Sequence, residues 1–164
     1  MADDQVLIRP MDKPGDLGWV VMAHGEFYAS EFGWNSAFEA EVAEIIAAYG
    51  SHHDPERETA WIAEADGRRV GCVVVVADSG EIARLRVLLV DPAVRGRRLG
   101  SRLVGAAIEF ARAAGYDEMV LWTNDVLRAA IQIYLKAGFS LVSEEPHNHY
   151  GPELVGQTYK LSLR

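Results

Sequence analysis

The sequence is poor in cysteine and in proline. Cys72 is the only cysteine among 164 residues, so the chain can form neither an intramolecular disulfide bond nor a zinc site built from several cysteines. It contains only six prolines, and 49% of its residues are hydrophobic. This composition excludes a disordered chain, which buries too little apolar surface, and a proline-rich fibrous chain. A chain of this length is expected to fold as one domain over residues 1–164.

Long hydrophobic runs and an excess of positive charge are also missing. The longest apolar run, residues 72–77, is far too short to span a bilayer, and the opening MADDQVLIRP has neither the basic nor the hydrophobic part of an export signal. Sixteen basic side chains against 24 acidic ones give a net charge of −8. Proteins that bind nucleic acids or anionic membranes carry clustered positive charge instead. We therefore expect a cytoplasmic protein that binds neither nucleic acid nor a membrane.

The hydrophobic periodicity predicts alternating strands and helices. Apolar runs predict strands over residues 6–8, 59–65, 70–77, 84–90, 119–123, 139–142 and 155–163. Helical spacing predicts helices over residues 17–30, 36–49 and 101–114, and a fourth from a cap at 124 or 125 to residue 137. The run SAFE at 36–39 fits a capping box with Ser36 as the N-cap, and Gly50 is expected to end that helix. Asp66-Gly67 indicates a two-residue hairpin, and the valine run 73–76 indicates a strand buried on both faces. Together these features predict a mixed α/β sheet with helices on both faces.

The stretch VDPAVRGRRLG, residues 90–100, connects a predicted strand to a predicted helix. Gly96 and Gly100 allow a tight turn and a close approach of the backbone to another group. The chain then enters a helix N-terminus, whose unpaired N–H groups and positive dipole end favour a phosphate. Three arginines add positive charge there: Arg95, Arg97 and Arg98. The pattern indicates a pyrophosphate site, with an ordinary loop carrying solvated arginines as the alternative.

Two motifs resemble those of the GNAT N-acetyltransferase superfamily. Residues 90–100 are similar to its acyl-CoA pyrophosphate loop, and the run YLKAGF at 134–139 is similar to its second mark, Y-x-x-x-G-F. The two occur in the family's order, about 40 residues apart, which makes the pair far more specific than either motif alone. The resemblance implies a GNAT fold with a mixed six- to seven-stranded sheet, a single GNAT domain over 1–164, and acetyl-CoA as co-substrate.

The likeness extends to one group of GNAT domains. Residues 24–34, 121–125 and 154–159 resemble the GNAT domain that follows a MarR-type winged helix in bacterial fusion proteins. The winged helix is absent here, because residue 6 already begins the first predicted strand, so DNA binding is not expected. Two departures from the family pattern stand out. Arg98 replaces the middle loop glycine, and Leu127 stands where an asparagine is common.

The resemblance also implies which residues hold acetyl-CoA. The strand at 88–90 would offer backbone groups to the pantetheine amides, and one of its N–H groups would polarise the acetyl carbonyl. A plain core strand is the alternative interpretation. The predicted cofactor-binding residues are Leu88, Leu89, Val90, Arg95, Gly96, Arg97, Arg98, Leu99, Gly100, Ser101 and Asn124.

Acetyl transfer to an amine requires a neutral amine, a stabilised carbonyl oxygen and a proton for the departing thiolate. Tyr134 occupies the family's general-acid position, although a core tyrosine bonded to backbone would give the same sequence pattern. Glu31 is the predicted catalytic base. Glu26, Glu81 and a base that acts through water are the alternatives.

The acceptor is expected to lie against Tyr28, Trp34 and His149. His147 and His149 would point the same way on a strand, which allows a metal site. Zinc needs three or four converging ligands, however, so no metal is predicted. Cys72 lies within a valine run and is expected to be a core residue rather than a nucleophile.

The predicted function is transfer of the acetyl group of acetyl-CoA to a primary amine. The acidic balance favours a cationic acceptor such as a small amine or a lysine side chain. The expected partners are acetyl-CoA and that acceptor, with a homodimer left open. Two alternatives belong to other classes of protein: a non-catalytic acyl-CoA-binding sensor, and a regulatory partner of a DNA-binding protein.

Overall fold

A seven-stranded mixed sheet runs through the computed structural model, which describes residues 5–96 and 98–164. In chain order the elements are β1 (Val6–Pro10), α1 (Asp16–Phe32), α2 (Ser36–His52), β2 (Thr59–Ala65), β3 (Arg68–Ser79), β4 (Ile82–Val90), a 3₁₀ turn (Pro92–Val94), α3 (Leu99–Ala113), β5 (Glu118–Asn124), α4 (Arg128–Ala137), β6 (Ser140–His147) and β7 (Leu154–Ser162). Across the sheet the order is β1-β2-β3-β4-β5-β7-β6, with β4 and β5 parallel. The predicted mixed sheet is confirmed.

Helices cover both faces of this sheet, as the pattern predicted. Helices α1 and α2 pack with Val74 and the neighbouring side chains on one face, whereas α3 and α4 pack with Val73 and Val75 on the other. All three valines are fully buried. Their strand β3 therefore has no polar alternation, because both of its faces contact apolar side chains. None of the helices within 5–96 and 98–164 is long and apolar enough to cross a membrane.

Strands β4 and β5 separate after a short paired segment. Their ladder joins only Ile82–Arg84 to Glu118–Val120, while β5 pairs with β7 along its whole length. Beyond Arg84, the edge of β4 that faces β5 therefore has no ladder partner. A bulge adds to this irregularity, because β4 shifts register against β3 and Val87 has φ +48°. A β-branched residue in the left-handed region is strained, and such bulges are typical of functional sites.

The first predicted cap is wrong by one residue. Asn35, rather than Ser36, is the N-cap of α2, and its Oδ1 accepts a hydrogen bond from the N–H of Ala37 at 3.0 Å. The helix also continues past Gly50 to His52. Glycine in a helix costs only about 1 kcal/mol, and the packing of α2 on the sheet overrides that preference.

The cap predicted for α4 at Asn124 or Asp125 is also wrong. Asn124 is the last residue of β5, and Asp125 Oδ1 accepts from the N–H of Val155 at 3.0 Å. The N-cap is Leu127, which has no side-chain acceptor for the first turn.

Strand β6 is longer than predicted. The predicted 139–142 becomes Ser140–His147, so much of the expected loop is strand. This strand forms the edge of the sheet and is exposed along nearly its whole length, so it lacks a hydrophobic pattern. Pro146 is tolerated there because an edge strand has one side without ladder partners.

Candidate active site

The glycine-rich turn lines a cavity of about 520 Å³, here named the turn cavity. It lies between the second half of α1, the end of β4 and the N-termini of α3 and α4. Most of the predicted cofactor-binding residues line it: Leu88, Leu89, Val90, Arg95, Gly96, Arg98, Leu99, Gly100 and Ser101. Arg97 lies outside the described residues, and Asn124 lines a different cavity.

The turn delivers the backbone to the helix in a conformation suited to an anion. Gly96 has φ +88° and Arg98 has φ +57°, and α3 begins at the next residue. Arg98 therefore has a backbone conformation that favours glycine. Its Cβ atom makes this conformation strained, which lowers the stability of the fold. As the N-cap of α3, Arg98 makes no side-chain bond to the first turn, so these N–H groups are free for a phosphate oxygen.

Gly100 lies where α3 packs against α4. A Cβ atom at this position would lie 2.6 Å from Cδ1 of Ile133 and 3.7 Å from Cγ2 of Val90. Both neighbours also line the turn cavity. The missing side chain thus lets Ile133 pack directly against the backbone at the N-terminus of α3, and a larger residue here would displace part of the cavity wall.

Glu31 lies on the turn-cavity side of the site. Its Oε1 is 3.4 Å from Nη1 of Arg95, and the Arg95 guanidinium lies 5.0 Å from the ring centroid of Phe27. Both members of the ion pair are roughly half exposed. This contact joins α1 to the turn, whereas the catalytic role of Glu31 stays a prediction.

A second cavity, of about 130 Å³, lies between α1, α2, β4 and β5 and is here named the aromatic cavity. Its aromatic lining is Tyr28, Trp34, Phe38, Trp122, Tyr134 and Tyr150, and its polar and charged lining is His24, Glu41, Arg84, Arg86, Thr123 and Asn124. The predicted Tyr28, Trp34 and Tyr134 are thus brought together. The cavity is small and largely closed by rings.

The two cavities meet at a shared wall. Tyr28, Leu88, Leu127 and Ala130 line both of them. Leu88 follows the bulge at Val87, on the part of β4 that has left β5. The two cavities are therefore neighbours on either side of these four side chains, next to the unpaired edge of β4.

The family model that matches this chain is the acetyltransferase (GNAT) family, over residues 21–139. That range contains the bulged strand, the glycine turn and the tyrosine helix. The chain belongs to the GNAT family of acetyltransferases.

Individual relatives support the assignment. An uncharacterized N-acetyltransferase of Schizosaccharomyces pombe is 30% identical over 150 residues, 91% of this chain and 90% of that protein. An uncharacterized N-acetyltransferase of Methanocaldococcus jannaschii is 32% identical over 85 residues, 48% of this chain and 38% of that protein. A putative acetyltransferase from Salmonella typhimurium, solved with its cofactor acetyl-CoA, has a TM-score of 0.78 at 20% identity, covering 98% of this chain and 95% of that chain.

These similarities establish a GNAT fold and an N-acetyltransferase whose homologues use acetyl-CoA. The closer likeness to GNAT domains behind MarR-type winged helices stays a prediction.

Tyr134 of this GNAT domain is buried, but its hydroxyl is not bonded to backbone. Its ring centroid lies 5.8 Å from that of Phe139, and no hydrogen bond of its hydroxyl occurs within the described residues. Burial, with Tyr28 nearby, raises the pKa of the Tyr134 phenol well above its usual value. The phenol is therefore a protonated donor at neutral pH, facing a cavity.

His149 lies outside both cavities. It is exposed and its ring stacks on His147 at 4.6 Å, and His147 Nε2 in turn bonds to Asn124 Oδ1 at 2.6 Å. The next residue, Tyr150, lines the aromatic cavity, and its hydroxyl donates to Oε2 of Glu41. Among the described residues, no group of three His, Cys, Asp or Glu side chains could hold a metal ion.

Cys72 is a core residue, as predicted. It is fully buried, its Sγ donates to the Val87 carbonyl at 3.2 Å, and burial raises the pKa of its thiol. It lines neither cavity. A thiol in this state is not a nucleophile.

The sequence reasoning did not name several polar and aromatic residues of the aromatic cavity as site residues, among them His24, Glu41, Arg84, Arg86 and Trp122. One signal was present in α1, since His24 precedes Tyr28 by four residues and so shares its helix face. The other was Arg86, a charged residue inside an otherwise apolar strand.

Proposed function

We propose that the chain transfers the acetyl group of acetyl-CoA directly to a primary amine in a ternary complex. The observation that carries this proposal is the wall shared by the two cavities, formed by Tyr28, Leu88, Leu127 and Ala130. Acetyl-CoA lies in the turn cavity and the amine in the aromatic cavity. The thioester then meets the amine nitrogen at the shared wall without a covalent enzyme intermediate.

The turn cavity fits the charged end of acetyl-CoA. The N–H groups of the first turn of α3 donate hydrogen bonds to the pyrophosphate, and the absence of a side chain at Gly100 leaves the backbone there without a Cβ between it and the ligand. The exposed guanidinium of Arg95 adds positive charge at the rim. The open edge of β4 from Leu88 to Val90 binds the pantetheine amides through backbone hydrogen bonds.

In the transfer, the neutral amine attacks the carbonyl carbon of the thioester. The C–N bond forms and the C–S bond breaks, the amine loses one proton to water or a base, and the sulfur gains one from Tyr134, whose phenolate then regains a proton from water. A backbone N–H of the bulged part of β4 stabilises the carbonyl oxygen as it gains negative charge. The products are the acetylated amine and free CoA.

Proton removal from the amine is proposed to pass through water. Glu31, the base predicted from the sequence, lines the turn cavity and not the aromatic cavity. It therefore reaches an amine in the aromatic cavity only through a bridging molecule. The acceptor itself is proposed to be a small amine or a lysine side chain, since the net charge of −8 attracts cations.

The test is Tyr134→Phe, measured as free thiol released from acetyl-CoA with an amine panel. We expect kcat to fall about 10²–10⁴-fold, because a general acid is lost, while the affinity for acetyl-CoA stays nearly unchanged. The melting temperature should also change little, because the hydroxyl has no bond within the described residues.

The matched control is Tyr116→Phe, another fully buried tyrosine. Its hydroxyl donates to the Arg57 carbonyl at 2.7 Å, and it lines neither cavity. This variant should lower the melting temperature and leave kcat unchanged. A wild-type kcat in Tyr134→Phe would contradict the general-acid role, and acetyl-CoA binding without turnover of any amine would favour the sensor instead.

A further inference from the structure

The aromatic cavity is lined by the guanidinium of Arg86, which is half-buried on β4. Among the described residues it makes no hydrogen bond and no ion pair, and the carboxylates of Glu41 and Asp78 attract it only from a longer distance. Arg84, two residues earlier on the same strand, is bonded to Asp78 Oδ1 at 2.8 Å. Burial and the nearby Arg84 lower the pKa of Arg86, but a guanidinium stays charged at neutral pH. A half-buried unpaired cation is costly, and an anionic group of a ligand would pair with it.

His24 adds an unpaired hydrogen-bond acceptor to the same cavity. Its Nδ1 lies 2.7 Å from the Val20 carbonyl oxygen, which can only accept, so Nδ1 carries the proton. Burial lowers the pKa of His24 to about 4, so the ring is neutral at physiological pH. Its Nε2 is then a lone pair, fully buried and without a partner.

Trp34 adds an unpaired donor. Its indole N–H is fully buried and has no acceptor, although the side chain lines the cavity. Buried polar atoms in native proteins nearly always have partners, so two orphans in one cavity point to a ligand. That ligand must offer one N–H or O–H group and one acceptor oxygen.

The cavity also limits the size of what enters. Its volume of about 130 Å³ is close to the 150 Å³ or so of an engineered cavity that binds benzene. One carboxylate, Glu41, shares the cavity, and the Tyr150 hydroxyl donates to one of its oxygens. The cavity therefore combines a free cation, a partly engaged anion and aromatic walls around a small space.

We propose that the acceptor is a small amino acid or amino-acid analogue, an amine that carries a carboxylate on the same small molecule. The carboxylate pairs with Arg86 and accepts from the indole N–H of Trp34, and the amine donates to Nε2 of His24. This inference rests on the proposed acetyl transfer and narrows its acceptor to one chemical class. The bond changes are those of acetyl transfer: C–N forms, C–S breaks, and the amine proton is replaced by the acetyl group.

The experiment compares each amino acid with its decarboxylated amine and with its carboxamide. Alanine is paired with ethylamine and alaninamide, and valine with isobutylamine and valinamide; a lysine-containing peptide completes the panel. Free thiol release by the full chain gives kcat/KM for each compound. We expect the amino acids to exceed both counterparts by at least tenfold, because only they present an anion to Arg86.

Arg86→Gln should then lower kcat/KM for the amino acids at least tenfold and change that for the decarboxylated amines less than twofold. Arg164→Gln is the control: it removes a charge that Asp117 already pairs, at a residue that lines neither cavity, so the preference for amino acids should persist. The affinity for acetyl-CoA, measured by calorimetry, should be the same in both variants.

The outcomes separate this inference from the proposed function. Equal or faster turnover of the decarboxylated amines, the amides or the peptide overturns the amino-acid inference and leaves acetyl transfer standing. An equal loss for acids and amines in Arg86→Gln overturns it too. If no compound releases thiol while acetyl-CoA binds, acetyl transfer itself fails.

Discussion

The turn cavity and the aromatic cavity differ in how their residues are distributed along the chain. A single stretch, residues 88–101, supplies much of the turn cavity. The aromatic cavity takes side chains from α1, α2, β4, β5 and α4, and from Tyr150 beyond β6, so its lining runs from residue 24 to residue 150. The turn cavity, proposed for acetyl-CoA, is thus encoded largely by one stretch of sequence, and the aromatic cavity, proposed for the acceptor, by distant residues.

The two cavities also differ in how they present charge. Arg95 and Arg98 are exposed at the turn, where water screens them and a mobile anion can be attracted. Arg86 is half-buried among aromatic rings, where water screens charges less. An ion pair between Arg86 and a ligand would therefore be stronger than one formed at the exposed turn. The first arrangement favours capture of a large anion, and the second favours discrimination between small acceptors.

Substituting Gly100 should affect the turn cavity alone and have the largest effect. In Gly100→Val the added carbons collide with Ile133 and displace part of the cavity wall beside the N-terminus of α3. We expect the Kd for acetyl-CoA to rise at least 100-fold, about 3 kcal/mol, with the fold retained. Calorimetry with acetyl-CoA gives the Kd, and circular dichroism checks the fold.

Gly105→Val is the matched control, since Gly105 lies on the same helix and a Cβ there meets nothing within 4 Å. Gly105→Val changes the helix propensity of α3 as Gly100→Val does, and it should bind acetyl-CoA like the wild type. Undiminished affinity in Gly100→Val would place the acetyl-CoA site elsewhere.

Trp34 and Glu31 should separate the two cavities kinetically. Trp34→Phe removes the indole N–H, so the KM for the acceptor should rise about fivefold, the value of one neutral hydrogen bond, while the KM for acetyl-CoA is unchanged. Glu31→Gln removes a negative charge that partly neutralises Arg95, so the KM for acetyl-CoA should fall about twofold, a small effect because both side chains are exposed. Steady-state kinetics with both substrates varied measures the two values.

Trp61→Phe controls for the loss of a tryptophan, because Trp61 packs on Phe110 away from both cavities. Both KM values should stay at the wild-type level. Should either active-site variant shift both KM values equally, its residue only supports the fold. A fall in kcat alone for Glu31→Gln would support its predicted role as the base.

The smallest effect is expected at Arg98, whose backbone is in the left-handed region. Arg98→Gly removes the Cβ strain and should raise the free energy of unfolding by about 1 kcal/mol. Urea denaturation of the free protein measures this change. Arg98→Ala removes the guanidinium but keeps the Cβ, and should give no such gain. Equal stabilisation by both variants would assign the effect to the charge.

Several features were predictable because they depend on neighbours in sequence. The Asp66-Gly67 hairpin formed, with φ of +52° and +74°, because two residues in positive φ suffice to reverse the chain. The valine strand was buried on both faces, and the glycine turn preceded a helix, as their patterns predicted. Helix caps and edge strands were less predictable. Ser36 was predicted as the cap in place of Asn35, because both residue types cap helices well. The full length of β6 was not predicted, because an exposed edge strand has no hydrophobic pattern.

The sequence by itself determined the succession of strands and helices along the chain and the glycine turn at a helix N-terminus. Through two motifs it also determined the GNAT fold. Only the tertiary structure decided that Glu31 lies beside Arg95 and that Tyr150, rather than His149, lines the aromatic cavity. Only it showed that, among residues 5–96 and 98–164, Arg86 has no hydrogen-bond or ion-pair partner while Arg84 has one. The physical reason is that a turn or a helix end needs contacts within a few residues. Whether a buried charge is paired depends on the packing of elements that lie far apart in the chain.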